Sequence, residues 1–437
     1  MSTDELRRQI LELVERHASE AQSAPAFRPG ISAIPAAGKV IGGSEIRHLV
    51  DAALDGWLTS GRFNDEFERL IAQRIGVQQA LSTNSGSSAN LLAISALTSP
   101  LLGDHALQPG DEVITAAAGF PTTINPILQN GLAPVFVDSE LPGYNPTPQA
   151  IAAAIGPRTR AIMLAHALGN PFEAAALREL ADRQGLWLIE DCCDAFGSLL
   201  HGRSVGTFGH IGTLSFYPAH HITTGEGGAV FTDLPLLARA LASFRDWGRD
   251  CYCAPGKDDT CGKRFDWQLG DLPRGYDHKY TYSHAGYNLK MTDMQAALGV
   301  AQLARLDEFI AVRQRNFAHL KARLKTCEEF LILPEATPGS DPSWFGFLLT
   351  LRENVPFDRV DLLRYLDQHR IGTRLLFAGN VTRQPYMQGR RFRISGDLAT
   401  ANAITERSFW IGVHPGLSTE MLDYAADKIG EFLGVGF

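Results

Sequence analysis

From Gln79 onward the chain repeatedly sets a strand-length apolar run after a helical stretch, and this alternation constrains the fold more than any other feature. The runs are Gln79 to Thr83, DEVITAAA, APVFVD, RAIMLAHA, LWLIED and GTLSFYP, preceded by a helical pattern around Asp65 to Ile75. Strands alternating with helices in this manner build a mainly parallel sheet covered by helices, an α/β architecture. At 437 residues, 45% hydrophobic and 20% charged, the chain can bury a large core, and disordered or fibrous classes are excluded.

Outside that region the pattern changes. Met1 to Glu20 reads as an amphipathic helix, and AQSAPAFRPGISAIPAAG then breaks any period with Pro and Gly, so residues 1–38 are expected to form a helix and an extended arm. A large domain is expected over 39–330. It is interrupted at 247–287 by a stretch rich in Gly, Asp, Pro, Tyr and Cys, too long for an ordinary connection, and such loops are usually functional. After Thr292 a continuous helical pattern bridges to a smaller α+β domain expected over 331–437.

The 40 Lys and Arg against 48 Asp and Glu give a net charge of -8 without a basic stripe, so no nucleic-acid partner is expected. The first twenty residues lack the apolar stretch of a signal peptide, and the apolar runs fall far short of the roughly 20 residues of a spanning helix. A soluble, cytoplasmic chain with no membrane partner is expected.

Four groups of residues carry chemistry. Ser82 to Asn90, STNSGSSAN, lies between a strand and the helix NLLAISAL, where backbone N–H groups and hydroxyls make a phosphate cradle, although Ser-rich helix caps without ligands are common. The strand Trp187 to Asp191 ends in two carboxylates at the usual ligand end of a parallel sheet, and Asp191 could pair with a pyridinium nitrogen or simply face solvent. Gly212 to Thr232, GTLSFYPAHHITTGEGGAVFT, reads as a strand, a turn and a glycine-rich return. Cys193, Cys251, Cys253 and Cys261 supply the four thiolates of a 2Fe-2S cluster, with four-thiolate zinc and plain buried cysteines as the other readings.

The third segment closely resembles the DegT/DnrJ/EryC sugar aminotransferases, whose members carry a lysine where this chain has His220, after a strand like Ile189 to Ala195. The resemblance runs from Gly38 to the C-terminus. It implies the aspartate-aminotransferase fold, a type I pyridoxal-phosphate fold with a seven-stranded, mainly parallel sheet in the large domain. Imidazole cannot hold pyridoxal phosphate covalently as lysine does, so pyridoxamine 5'-phosphate must bind non-covalently. His220 titrates near neutrality and can act as a base; His221 is the neighbouring alternative, and a space-filling His220 in an inactive protein is the plain one.

Within that family, the loop WGRDCYCAPGKDDTCGKRFDWQLGDLPRGYDHKYTY, the strand end DCCDA and the histidine at 220 are similar to the iron-sulfur, pyridoxamine-phosphate 3-dehydratases of CDP-4-keto-6-deoxyglucose, from 3,6-dideoxyhexose and lipopolysaccharide O-antigen biosynthesis. This likeness implies cluster ligation by Cys193, Cys251, Cys253 and Cys261, with Cys192 and Cys327 structural. It implies phosphate contacts from Gly86, Ser87 and Ser215, stacking by Phe120, and Asp191 at the ring nitrogen. Asn288 would reach the phosphate of a neighbouring subunit's cofactor, so a homodimer with shared sites is expected. Asp194 and Tyr217 would sit beside the cofactor, although Phe120 read alone is more often a core residue.

The implied reaction is C3 deoxygenation of a nucleotide-linked 4-keto-6-deoxyhexose, by dehydration to a Δ3,4-glucoseen and one-electron reductions through the cluster from an NADH-dependent flavin and iron-sulfur reductase. CDP is the expected nucleotide and a TDP-linked sugar the alternative, with Trp57 to Arg62 and FAGNVTRQP as base-reading segments. A cluster-free 3-dehydratase, a non-catalytic scaffold, and an aminotransferase using another lysine such as Lys290 are the competing readings.

Overall fold

The computed structural model describes residues 2–21, 26–251, 253, 256, 259–260 and 262–436. Strands β1 (Gln79–Thr83), β2 (Glu112–Ala116), β3 (Ala133–Val137), β4 (Thr159–Ala165) and β5 (Trp187–Asp191) fall on the apolar runs. A small hairpin, β6 (Leu199–Leu200) and β7 (Arg203–Ser204), precedes β8 (Ile211–Ser215) and β9 (Gly228–Thr232). Toward the C-terminus lie β10 (Leu331–Ile332), β11 (Ser340–Asp341), β12 (Gly346–Leu351), β13 (Arg393–Ser395) and β14 (Ser408–Gly412).

The main sheet runs in the order β1-β9-β8-β5-β4-β2-β3-β13. From β8 to β13 every neighbouring pair is parallel, while β9 is antiparallel to both β8 and β1. Successive residues of a strand face opposite sides, and the core divides accordingly: Ile162, Leu164 and Leu188 join one layer, while Ala161, Met163 and Ile189 join the other. Helix α3 (Arg62–Ile75) buries Phe63, Phe67, Ile71 and Ile75 at helical spacing against the first layer and stops at Gly76, whose φ of 88° suits a residue without a side chain.

Seven of these eight strands correspond to the expected sheet. The eighth, β13, contributes Arg-Ile-Ser from the C-terminal part and carries no apolar run that sequence patterning could register. Arg393 fixes it there, donating to Glu112 Oε2 at 2.8 Å and to the Ala154 carbonyl at 2.6 Å. The single long helix expected after Thr292 is two, Asp293–Leu303 and Leu306–Leu324. The break falls where Gln302 and Arg305 both reach the buried Glu45 carboxylate, at 2.7 and 3.3 Å.

The arm is not independent of the C-terminal part. Ile34 exchanges backbone hydrogen bonds with Arg370 and Gly372, and its side chain enters a core of Phe317, Leu320, Phe347, Leu349 and Ile429. We infer from this second core that the chain divides near residue 330, with the helix Leu306–Leu324 shared by both parts. Among the described residues, no helix is long and apolar enough to cross a membrane.

The Glu112 carboxyl is held below the usual carboxylate range, first by the Arg393 hydrogen bond, with burial opposing and Arg158 assisting. Its contribution is therefore present above the ordinary carboxyl value and lost as the pH falls through the lowered one. Arg393→Met should cost about 1–2 kcal/mol at pH 7. In urea denaturation the gap between wild type and variant should shrink below about pH 4.

Candidate active site

The C-terminal end of β5 is built around one carboxylate. Asp191, 4% exposed, accepts hydrogen bonds on Oδ2 from Asn90 Nδ2 at 2.8 Å and Thr123 Oγ1 at 2.7 Å, and on Oδ1 from the Cys193 N–H at 3.1 Å. Thr213 Oγ1 donates to Asn90 Oδ1 at 2.7 Å, which fixes the amide so that its NH2 faces Asp191. A carboxylate offers about four lone-pair sites, so one position on Oδ1 remains for a further donor.

Beside it, helix α4 (Gly86–Leu97) begins at a Ser85 cap whose hydroxyl accepts the Ser88 N–H at 3.1 Å. Among the described residues, the N–H groups of Gly86 and Ser87 have no acceptor. A helix start with two free donors next to the Ser87 and Ser215 hydroxyls suits a phosphate dianion. Gly86 is required by space: a Cβ there would lie 2.4 Å from Ser215 Cβ and 2.8 Å from its Oγ.

The third wall is the turn after β8. His220 N–H donates to the Tyr217 carbonyl at 2.9 Å, and Nδ1 of its imidazole lies 3.5 Å from Asp194 Oδ1, long for a hydrogen bond. His220 Nδ1 and Asp194 Oδ2 are both buried without a partner. Burial, then the charge of Asp191, raises the Asp194 carboxyl to about 8, with Arg313 opposing. Burial, then the Arg313 cation, pushes the His220 imidazole down to about 3. Near neutral pH the imidazole is thus uncharged, and the burial that lowers it below the near-neutral titration expected of a histidine also makes it a weaker base.

Gly86, Ser87, Phe120, Asp191, Cys193, Asp194, Ser215, Tyr217 and His220 all line one cavity of about 370 Å³, a size ordinary for a small-molecule site. Phe120 is 46% exposed and meets Phe377 edge-on at 6.0 Å, so its face is free to stack and it is not a core residue. His221 points away, its Nε2 meeting Ser343 Oγ at 2.9 Å and the Ser343 carbonyl at 3.0 Å.

Asn288 does not line this cavity; its Oδ1 accepts from Lys290 Nζ at 2.7 Å, and its backbone bridges to Asp246. Lys290 does not line it either, lying over the Trp247 ring at 3.5 Å. Cys251 and Cys253 border a different cavity, with Asp246 and with Gln79 and Leu81 of the edge strand β1. Three strand spacings, about 14 Å, separate β1 from β5, which Cys193 follows. Cys261 lies outside the described residues. Among the described residues, Cys193 thus lines one cavity and Cys251 and Cys253 another.

Among the described residues, one set of metal-ligating types does meet: His166, Glu190 and Cys192, all buried. Its ligand atoms are occupied. Glu190 accepts from His166 Nε2 at 3.1 Å and from the Gly206 N–H at 2.8 Å, and His166 Nδ1 accepts the Phe172 N–H at 3.2 Å. Cys192 and Cys327 are buried and free, as structural cysteines would be.

Sequence reading missed the residues that hold Asp191 from behind, Thr123 and Thr213, because a lone threonine carries no signal. It also missed Phe345, Arg374, Leu375 and Trp410 of the C-terminal wall, of which only Phe377 falls in the expected FAGNVTRQP segment. Arg374 is clamped there by reciprocal backbone hydrogen bonds with Trp410. Gly86→Ala should force α4 from β8 and remove phosphate donors, each worth about 1.5–3 kcal/mol when charge-assisted. Titration with pyridoxamine phosphate should show affinity reduced by about tenfold or more.

Over residues 40–430 the chain matches the DegT/DnrJ/EryC1/StrS aminotransferase family. It is 60% identical over 437 residues to the lipopolysaccharide biosynthesis protein RfbH of Salmonella typhimurium (strain LT2), covering 100% of both chains. It is 54% identical over 412 residues, 94% of this chain and 89% of the relative, to a dTDP-4-dehydro-2,6-dideoxy-D-glucose 3-dehydratase of Saccharopolyspora spinosa. Its structure matches an E. coli GDP-4-keto-6-deoxy-D-mannose-3-dehydratase with bound hydrated PLP at a TM-score of 0.81 and 26% identity, over 90% of this chain and 98% of that one. The fold is thus the aspartate-aminotransferase fold, and the chain belongs to the DegT/DnrJ/EryC1/StrS aminotransferase family.

Proposed function

We propose that this chain removes the C3 hydroxyl from a nucleotide-linked 4-keto-6-deoxyhexose with non-covalent pyridoxamine 5'-phosphate as cofactor. The observation that carries the reading is His220, with Asp194 and Asp191, on the wall of a cavity that no lysine lines among the described residues. The cavity fits the cofactor: the open N–H groups at Gly86 and Ser87 suit its phosphate, the spare lone pair of Asp191 its ring nitrogen, and the exposed face of Phe120 its ring. When bound, pyridoxamine phosphate supplies an amine that condenses with the C4 ketone and a ring that accepts an electron pair.

The chain's own residues do the rest. Asp191 holds the proton of the ring nitrogen, which keeps the ring electron-poor. Neutral His220 accepts a proton on the cavity side, and Asp194, 3.5 Å from its Nδ1, faces the charge that it gains. Tyr217 and Arg374, at the mouth, are placed to meet the sugar and the phosphates that carry it. The relatives' names, which differ in nucleotide, support a reading in deoxysugar dehydration and lipopolysaccharide biosynthesis. CDP stays our preferred carrier on the likeness of the Cys-bearing loop, with dTDP as the alternative.

The finer reading adds a 2Fe-2S cluster on Cys193, Cys251, Cys253 and Cys261, fed by a flavin and iron-sulfur reductase, because net deoxygenation needs two electrons and plain dehydration needs none. Since Cys193 lines one cavity and Cys251 and Cys253 another among the described residues, we infer for this reading that the Cys251 flank of one subunit meets Cys193 of another in a homodimer. The same flank carries Asn288, tied to it through Asp246. The separation of the thiols also favours a second reading, a dehydratase without a cluster.

Both readings are separated by one assay, in which anaerobically purified protein is incubated with pyridoxamine phosphate and CDP-, dTDP- or GDP-linked 4-keto-6-deoxyhexose, with and without a one-electron donor. We expect loss of the C3 oxygen, and a fall in kcat of about 10²–10⁴-fold in His220→Asn with cofactor affinity retained. Two irons and two sulfides per chain, and loss of donor-dependent product in a Cys193→Ser variant, would support the reductive route. Full activity after Ser replacement of all four cysteines would establish the cluster-free one, and amino transfer to the ketone with no C3 loss would overturn both.

A further inference from the structure

Arg313 is the largest fully buried side chain among the described residues, at 1% exposure, and among them no carboxylate lies within ion-pair distance of it. A buried cation without a paired anion is costly, so an apolar side chain would fill the same space more favourably. It lies on the helix Leu306–Leu324, at a position where Phe309, Ile310 and Phe317 define the apolar face. Its forked guanidinium instead ties two backbone segments together. Nη1 donates to the carbonyls of Trp344 and Phe345, each at 3.2 Å, and Nη2 to those of His220 at 3.1 Å and Ala219 at 3.4 Å.

Each tied segment bears on the imidazole. The Ala219 and His220 carbonyls belong to the turn that carries it. Phe345 packs its ring against His220 with centroids 5.2 Å apart, and lines the same cavity. Trp344 holds a φ of 30°, which an aromatic residue rarely adopts, and so needs surrounding contacts to persist. One such contact is the bond from Arg313 to its carbonyl, and another is its ring stacked on Phe317 at 3.7 Å.

We propose that Arg313 is a positioning residue for His220, its planar fork locking the turn beneath the imidazole and the Phe345 ring beside it into one rigid frame. The inference rests on the reading of His220 as the base. A point cation such as lysine cannot reproduce the fork, because guanidinium offers donors in a fixed plane.

The test uses the full-length protein as Arg313→Met and Arg313→Lys, with His220→Asn in parallel. Diethyl pyrocarbonate labelling, mapped by peptide mass, reads how well each buried histidine is held without requiring cofactor or turnover. We expect His220 labelling to rise about tenfold or more in Arg313→Met while His166, buried in a separate network, is unchanged. Misplacing a reacting group by about 1 Å costs on the order of a hundredfold in rate. Accordingly kcat should fall about 10- to 100-fold with KM and pyridoxamine-phosphate affinity within about twofold. Arg313→Lys, which keeps the charge, should fold and show the same selective pattern more weakly.

Parallel exposure of His166 and His220 would overturn the proposal, since Arg313 would then be holding the fold as a whole. So would unchanged labelling and kcat in both variants. Should His220→Asn keep full turnover, the base reading fails on its own evidence, whatever the Arg313 variants do.

Discussion

The site depends on a carboxylate that is kept buried. Asp191 sits at the end of a central strand, where a free carboxylate would be strongly disfavoured, and three donors hold it: an amide, a hydroxyl and a backbone N–H. The donors come from α4, from the helix that follows Phe120, and from the chain just past β5, so three elements are aligned by one side chain. Thr213 on β8 adds a fourth by fixing Asn90. The open helix start at Gly86 and the exposed ring of Phe120 then lie at the ends of the same two helices that Asp191 anchors.

The close approach of α4 to β8 extends this logic. Gly86 lets the helix start lie directly against Ser215, and Gly228 repeats the requirement on β9, where a Cβ would come within 2.6 Å of Gly86 N. Two neighbouring strands and one helix thus converge at the start of α4, and the turn leaving β8 carries His220 to another wall of the cavity. In a fold that ordinarily places lysine there, the imidazole changes what the cavity can do: it can move a proton, and it cannot hold a carbonyl cofactor covalently.

Much of this was legible in the sequence, for identifiable reasons. Strands with continuous apolar runs declared themselves, and so did the polar loop before α4 and the acidic end of β5, because each combines a period with a break in it. The edge strand Arg393–Ser395 did not, since its place is decided by Arg393 reaching Glu112 and not by apolar residues. The break at Ala304 and Arg305 was hidden for a related reason: helical periodicity continues through it, and buried Glu45 draws the side chains on both sides. Arg313 left a signal that patterning alone does not interpret, a cation on the apolar stripe of its helix. The placement of Cys251, Cys253 and Asn288 away from the cavity depends on chain path, which motif order does not reveal.

The central claim is that position 220 has given up covalent attachment of the cofactor. Its most direct measurement is to saturate the wild type and His220→Lys with pyridoxal phosphate, reduce with borohydride, digest, and map the labelled peptides by mass spectrometry. The account predicts a label at 220 in the lysine variant, and no stoichiometric label at any lysine of the wild type. A stoichiometric label on a wild-type lysine such as Lys290 would contradict it, because another residue would then hold the cofactor as an aminotransferase does.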